Sequence, residues 1–187
     1  MTACAWILLA ASLPCRPGVE VNETLQHYAI EGSNATDLAR EMHRRGPEHR
    51  TGQVAWGLTR WTLRARYDLE MDPAGQCRLL SPVVVLDLRI DLPRWQPALA
   101  RDGALSMAWD RAYRAMVSHE LEHRRHAHDA AGQLADALSA LPAVDGPCNG
   151  LEASVKRQVR LAADAASRQS RDYDLATDFG ALNRIHP

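Results

Sequence analysis

The residues best suited to chemistry are His119, Glu120 and His123, which follow the spacing H-E-x-x-H. On a helix, residues four positions apart lie on one face, so the two imidazoles can converge on one metal ion. Glu120 lies about 100° around the helix from His119, where it can accept a proton from a water molecule that the ion has acidified. This pattern predicts a zinc-dependent hydrolase with His119 and His123 as ligands and Glu120 as general base.

The residues around the motif predict a long helix over 105–141, because apolar residues recur there every three or four positions. His119 and His123 fall on the same stripe as Trp109 and Met116, so their side chains are expected to be buried. A buried imidazole needs a polar partner. A metal ion would provide one for each ring, and the alternative is a pair of core histidines that hydrogen-bond to protein groups.

A hydrolytic zinc site needs a third protein ligand and one open position. His126 is not expected to supply the ligand, because it lies about 10.5 Å along the helix axis from His119. Acidic residues after the long helix are the remaining donors, and the sequence leaves the choice among them open. The candidates are Asp174 and Asp178 in the C-terminal tail, followed by Asp164 and Glu152 on a second predicted helix.

The segments that must position these residues predict an α+β fold, in which a small antiparallel sheet packs on the long H-E-x-x-H helix. The segment 83–92 predicts a strand with one buried and one wet face. One side carries apolar residues and the other carries charged ones, namely Val84, Leu86, Leu88, Ile90 and Leu92 against Asp87, Arg89 and Asp91. An extended peptide is expected to bind along the edge of this strand. The other predicted elements are strands within 23–32 and 54–69, a helix over 34–45, an interruption of the long helix near Gly132, a helix over 151–170 and an irregular tail over 171–187.

The composition and the first residues indicate where the protein acts. A net charge of -1 provides no basic surface for nucleic acid. Residues 1–18 contain an apolar run that ends at Pro14 and Pro17, which predicts a secretory signal that lacks its charged start, with an apolar strand as the alternative. Residues 19–187 are expected to form one domain without a stable membrane span. The predicted location is secreted or periplasmic.

The cysteines also bear on where the protein acts. Cys4 and Cys15 fall in the predicted signal, which leaves Cys77 and Cys148 for the mature chain. Neither belongs to a C-x-x-C pair, so a zinc knuckle is not expected. In an exported protein the two are expected to form one disulfide, and otherwise they are two separate buried thiols. The predictions of export and of the disulfide therefore depend on each other.

Several short motifs occur in the order of a known family. The segments YAIEG, LAREMHRRGP, WGLTRWTLRARY, LPRW, HELEH and YDLATDFG resemble a bacterial family, domain-of-unknown-function family 922, described as predicted secreted zinc-dependent proteases. The resemblance extends from about Tyr28 to Gly180. It implies a zincin-like α+β metallopeptidase fold and an envelope or secreted location. It also implies zinc at His119 and His123, Glu120 as the catalytic base and a bridge between Cys77 and Cys148.

One position departs from the family pattern. The family tail is Y-D-x-x-T-x-H-G, and Phe179 stands where its histidine would be. If that histidine is the third ligand, the site is degenerate here unless Asp178 substitutes for it. The alternative is that Asp174, which the family motif retains, is the third ligand. The main prediction is a secreted or periplasmic peptidase that acts on a peptide or protein substrate. The alternative is a catalytically degenerate relative that serves as a metal-binding or envelope interaction module.

Overall fold

The structure, a computed structural model, describes residues 16–49, 52–96 and 103–178. These residues form a mixed α/β fold with one sheet. Most of the predicted signal and Phe179 lie outside the described residues. Among the helices described, none combines the length and apolar character needed to cross a bilayer. The elements are β1 (Val19–Ile30), α1 (Ala35–Arg45), β2 (Leu58–Met71), β3 (Gln76–Trp95), α2 (Gly103–Ser139), β4 (Val144–Asp145) and α3 (Asn149–Ala176).

The sheet has the order β1-β3-β2, and β4 adds a short antiparallel pair to the start of β3. Residues 72–75 join β2 to β3. A connection this short permits only antiparallel pairing of neighbouring strands. Asp72 fixes the turn, because its Oδ1 accepts hydrogen bonds from the backbone N–H groups of Ala74 and Gln76 at 2.9 and 3.0 Å. Gly75 completes the turn at φ +80°, in the left-handed region that glycine tolerates.

The sheet is not antiparallel throughout, which corrects the sequence prediction. The N–H of Val84 donates to the Gly18 carbonyl, and the N–H of Gln96 donates to the Ile30 carbonyl. Both pairs advance in the same direction along the chain, so β1 runs parallel to β3. The alternation of apolar and polar residues could not reveal this, because it reports which face of a strand is buried and not the direction of its neighbour.

The central position of β3 removes the peptide-binding edge that was predicted at residues 83–92, because β1 and β2 pair with this strand on its two sides. The buried face itself is confirmed, with the predicted apolar side chains 3 % exposed or less. Asp91 differs from the prediction of a wet face, since it is 5 % exposed. Arg60 and Arg89 hold its carboxylate at 3.0 and 2.6 Å, which offsets the cost of burying the charge.

The three helices follow their apolar periodicity. In α1, Asn34 is the N-cap, and its side chain accepts a hydrogen bond from the Asp37 N–H at 2.9 Å. The long helix α2 passes through Gly132 without the predicted interruption. A single glycine costs a helix only about 1 kcal/mol, which buried neighbours offset. The helix α3 continues to Ala176, so the prediction of an irregular tail is wrong for residues 171–176, where mostly exposed side chains conceal the helical period.

The chain packs into two compact units. The first unit contains Cys77 and Cys148, which are joined by a disulfide across 71 residues of sequence. The second unit is built from Thr24–Arg60, Arg89–Arg125 and Ser170–Pro187. Its pieces include the H-E-x-x-H segment of α2 and the last turns of α3, so all the residues that form the candidate site belong to this one unit.

Candidate metal centre

Two histidines of α2 and one aspartate of α3 meet in the second unit. His119 and His123 lie one helical turn apart, with ring centroids separated by 4.8 Å. The Oδ1 atom of Asp174 lies 3.1 Å from His119 Nε2 and 3.0 Å from His123 Nε2. The two Nε2 atoms are themselves 3.1 Å apart. The three atoms therefore form a nearly equilateral triangle.

This triangle has the dimensions of a metal site. Three ligand atoms bound tetrahedrally at the usual zinc distances lie about 3.3 Å from one another. Protons alone cannot satisfy all three pairs: two Nε2–H groups that both donate to Asp174 repel each other, and a lone pair on either nitrogen repels the carboxylate. One divalent cation would accept a lone pair from each atom. Across residues 16–49, 52–96 and 103–178, these three side chains are the one group of His, Cys and acidic residues close enough to share an ion.

The other predicted ligands lie apart from the triangle. Asp178 follows the end of α3, where its side chain is exposed and its backbone has φ 48°. Asp164 is exposed on α3, and Glu152 pairs with Lys156 at 2.6 Å. His126 is buried and does not join the triangle, which agrees with the prediction that it is not a ligand. Among the described acidic residues, Asp174 in the last turn of α3 is thus the one that meets the histidine pair.

Without a metal, Asp174 and His123 stabilise each other's charged form. Burial alone would raise the pKa of Asp174, but hydrogen bonds from His119 and His123 outweigh burial and hold this pKa well below its usual value. Burial alone would lower the pKa of His123, but the hydrogen bond to Asp174 and the charge of Glu120 outweigh it and raise this pKa. Asp174 is therefore ionised at neutral pH, as a carboxylate ligand must be.

Glu120 lies deeper than the ligands and is held by β2. Its side chain is 4 % exposed, and its Oε2 accepts a hydrogen bond from the Thr59 hydroxyl at 2.8 Å. Burial raises the pKa of Glu120, while the charge of His123 and the Thr59 hydrogen bond act in the opposite direction. A carboxyl group whose pKa is raised toward neutrality can accept and return a proton, which is the property of a general base.

Tyr173 covers both imidazoles. Its ring stacks on His119 with a centroid distance of 4.9 Å and an angle of 29°, and it meets the edge of His123 at 5.5 Å. Contacts of this kind fix ring orientation, which a metal site needs as much as it needs the ligands. Tyr173 directly precedes Asp174, so one turn of α3 supplies both a candidate ligand and the ring that packs on the other two.

Three residues of this site were not identified from the sequence. Gly57 and Thr59 carry no signal, because their contact with Glu120 depends on where the start of β2 meets α2. Tyr173 lies in the segment that was predicted to be an irregular tail. Its position beside a candidate ligand in the segment RDYDL was the available signal, and the irregular tail predicted there concealed the helical geometry that brings it to His119.

Comparisons with known proteins agree with the family resemblance. The sequence model of a family described as "Bacterial protein of unknown function (DUF922)" matches residues 25–180. The match spans most of the chain and includes all the residues of the triangle. No curated protein and no solved structure gives a significant match.

Proposed function

The chain belongs to the DUF922 family of bacterial proteins of unknown function, and from its site we propose that it is a zinc-dependent peptidase with a zincin-like arrangement. The observation that carries this proposal is the convergence of His119 Nε2, His123 Nε2 and Asp174 Oδ1 within 3.1 Å of one another. Two imidazoles and one carboxylate are a ligand set that zinc favours in catalytic sites, where a fourth position stays open.

The proposed roles follow from the chemistry of each side chain. His119, His123 and Asp174 would hold the ion, and Tyr173 would keep the imidazoles aligned. Bound zinc supplies a Lewis acid that polarises a carbonyl group and lowers the pKa of water toward 7. These residues fit the group because every atom of the triangle can present a lone pair toward its centre.

Glu120 would move the proton that hydrolysis requires. The Thr59 hydroxyl engages Oε2, which leaves Oε1 to accept a proton from the attacking water. A bond forms between the water oxygen and the peptide carbonyl carbon, and the bond from that carbon to the amide nitrogen breaks. Glu120 then returns the proton to the departing nitrogen, so the products are a free acid and a free amine.

An extended peptide is the proposed substrate, and β2 is its proposed docking strand. In the strand order β1-β3-β2, β2 is an outer strand. It begins at Leu58, next to Thr59, whose hydroxyl binds Glu120. A peptide can pair with the edge of such a strand through backbone hydrogen bonds. This replaces the docking on residues 83–92 that the sequence suggested.

We propose that the protein acts in the bacterial envelope or outside the cell. Its disulfide between Cys77 and Cys148 supports this location, because such bridges persist in oxidising compartments and are rare in the cytosol. Mass spectrometry of the chain from the periplasm and from the cytosol would test the location through the N-terminus and the oxidation state of the two thiols. A reduced chain with its first residues intact in the cytosol would contradict it.

The first test of function is zinc content, measured by elemental mass spectrometry on the purified protein and on a His119→Ala/His123→Ala variant. We expect about one zinc per chain in the wild type, as a three-ligand site implies, and none in the variant. Cleavage of a peptide library then follows, with Glu120→Gln as the control that keeps the ligands and removes the base. The peptidase proposal fails if Glu120→Gln cleaves as fast as the wild type.

The departure at Phe179 supports a second candidate, a metal-binding envelope module without catalysis. This candidate predicts stoichiometric zinc, loss of zinc in the double histidine variant, and no cleavage of any peptide by the wild type. A chain that binds no zinc at neutral pH would remove both candidates and would leave the two histidines as hydrogen-bonded core residues.

A further inference from the structure

The side chain of Glu120 packs against Thr59 of β2 and against Gly57, which directly precedes that strand. The hydroxyl of Thr59 donates to Glu120 Oε2 at 2.8 Å and also lies 3.2 Å from the backbone carbonyl oxygen of Glu120. One threonine therefore contacts both the carboxylate and the helix backbone that carries it. Such a double contact fixes the side chain relative to its own helix, which a hydrogen bond to the carboxylate alone would not do.

Gly57 leaves room for the same carboxylate because it has no Cβ atom. A Cβ atom added to Gly57 would lie 2.8 Å from Glu120 Oε1, 3.0 Å from Glu120 Cγ and 3.1 Å from Met116 Cγ. Carbon atoms of side chains do not approach a buried oxygen this closely without displacing it. Any side chain larger than hydrogen at this position must therefore move Glu120 or the segment before β2.

Together the two residues constrain both oxygens of one carboxylate. Thr59 fixes Oε2 by a hydrogen bond, and Gly57 sets the closest approach of Oε1. Neither residue touches the three ligand atoms of the metal centre in the contacts described above. The pair can therefore be altered while the ligand set stays intact, which separates their role from metal binding.

We propose that Gly57 and Thr59 are positioning residues for Glu120, which hold its carboxylate in one orientation for proton transfer. This inference rests on the proposed function, because it assigns the orientation of a base to a reaction that is itself proposed. It adds Gly57, which directly precedes β2, and Thr59 of β2 to a site whose other members come from helices. It also gives the start of β2 a role in the chemical step besides the docking of a peptide.

The kinetic test compares Thr59→Val, which removes the hydroxyl at nearly constant size, with Thr59→Ser, which retains it. We expect kcat of Thr59→Val to fall about 10-fold or more with KM within about 2-fold, because a misplaced catalytic group costs this much in rate. Thr59→Ser should recover most of the loss. Zinc content should stay at the wild-type value in both variants. Equal kcat values for Thr59→Val and the wild type would overturn the proposal.

The matching test at Gly57 uses Gly57→Ala, with Gly150→Ala as the control. An added Cβ at Gly150 would meet no heavy atom within 4 Å, so this variant should keep the wild-type kcat. For Gly57→Ala we expect kcat to fall about 100-fold with zinc retained, since a displacement of about 1 Å has this effect on catalysis. Unchanged kcat in Gly57→Ala would overturn the role of this residue.

A test that needs no activity is a double-mutant cycle in the metal-free protein. Thr59→Val should lower the urea midpoint of unfolding more in the wild type than in a Glu120→Leu background. In the wild type the substitution removes a hydrogen bond from a buried carboxylate, whereas the Glu120→Leu background has no carboxylate at this position. If Thr59→Val does not fold, Thr59→Ala carries the same comparison. Equal shifts in both backgrounds would show that Thr59 does not hold the carboxylate.

The cycle also separates failure of this inference from failure of the proposed function. A protein that cleaves no peptide but shows the coupling still has Glu120 held by β2, and only the enzyme proposal is lost. A protein that cleaves peptides, with neither the coupling nor the loss of kcat, keeps the enzyme proposal and loses this inference.

Discussion

At the scale of single residues, Asp174 is the proposed third ligand, because its Oδ1 atom meets the Nε2 atoms of both histidines. We expect Asp174→Asn to weaken zinc binding by more than about 100-fold, because even the outer partners of metal ligands are worth 10- to 100-fold in affinity. Asp178→Asn is the matched control, since this exposed aspartate lies beyond α3 and should leave the affinity unchanged. Competition against a fluorescent zinc chelator measures both.

The opposite ranking, with Asp178→Asn weaker in binding and Asp174→Asn unchanged, would assign the third ligand to the segment after α3. The sequence could not separate these two residues, because both are acidic and four positions apart. The two residues differ because α3 extends to Ala176, so Asp174 lies on the helix and its side chain reaches the histidines.

The same residues predict a pH dependence in the metal-free protein. The pKa of His123 is raised above its ordinary 6.5, so its contribution to stability is complete below that pH and is lost as pH rises through the folded-state pKa. The pKa of Asp174 is lowered from 3.8, so its contribution is present above that pH and is lost on acidification. Both contributions to stability are therefore present between pH 3.8 and pH 6.5.

We therefore expect the stability difference between wild type and Asp174→Asn to be largest between pH 3.8 and 6.5 and to shrink on either side of this range. Urea unfolding with a chelator present, repeated from acid to mildly alkaline pH, measures the difference directly. A difference that stays constant across the whole range would mean that the two side chains do not interact as ions.

At the scale of elements, α3 presents one buried face that holds the helix in the fold. Leu151 and Val155 are each 1 % exposed, whereas Leu161 is 54 % exposed on the same helix. We expect Leu151→Ala to lower the free energy of unfolding by about 2–5 kcal/mol, as in other leucine cores, and Leu161→Ala by less than about 0.5 kcal/mol. Urea unfolding of the two variants is the measurement, and similar losses would contradict the burial of this face.

The elements also show where sequence patterns carry information and where they do not. The spacing of Trp109, Met116, His119 and His123 was enough to predict a helix with inward histidines, because side chains on α2 follow the helical period. The direction of β1 was not available from any pattern. It depends on which strand lies beside it, and the parallel pair with β3 joins segments far apart in sequence.

At the scale of the whole molecule, the disulfide ties the start of β3 to the residue before α3. Closing a loop of 71 residues lowers the conformational entropy of the unfolded chain. This loss of entropy stabilises the folded state by about 4 kcal/mol. We expect a Cys77→Ala/Cys148→Ala variant to lose about this much free energy of unfolding, measured in urea. A loss below about 1 kcal/mol would mean that the unfolded chain is already compact without the bridge.

The wide sequence separation within the proposed metal centre has a consequence for biosynthesis. Asp174 follows His123 by 51 residues, so a ribosome must add that length after the second histidine before the carboxylate exists. At usual rates of synthesis this interval lasts about 3–10 s. During it the nascent chain presents two imidazoles without their acidic partner. The three side chains of the proposed centre therefore come together only after the segment that forms α3 has been synthesised.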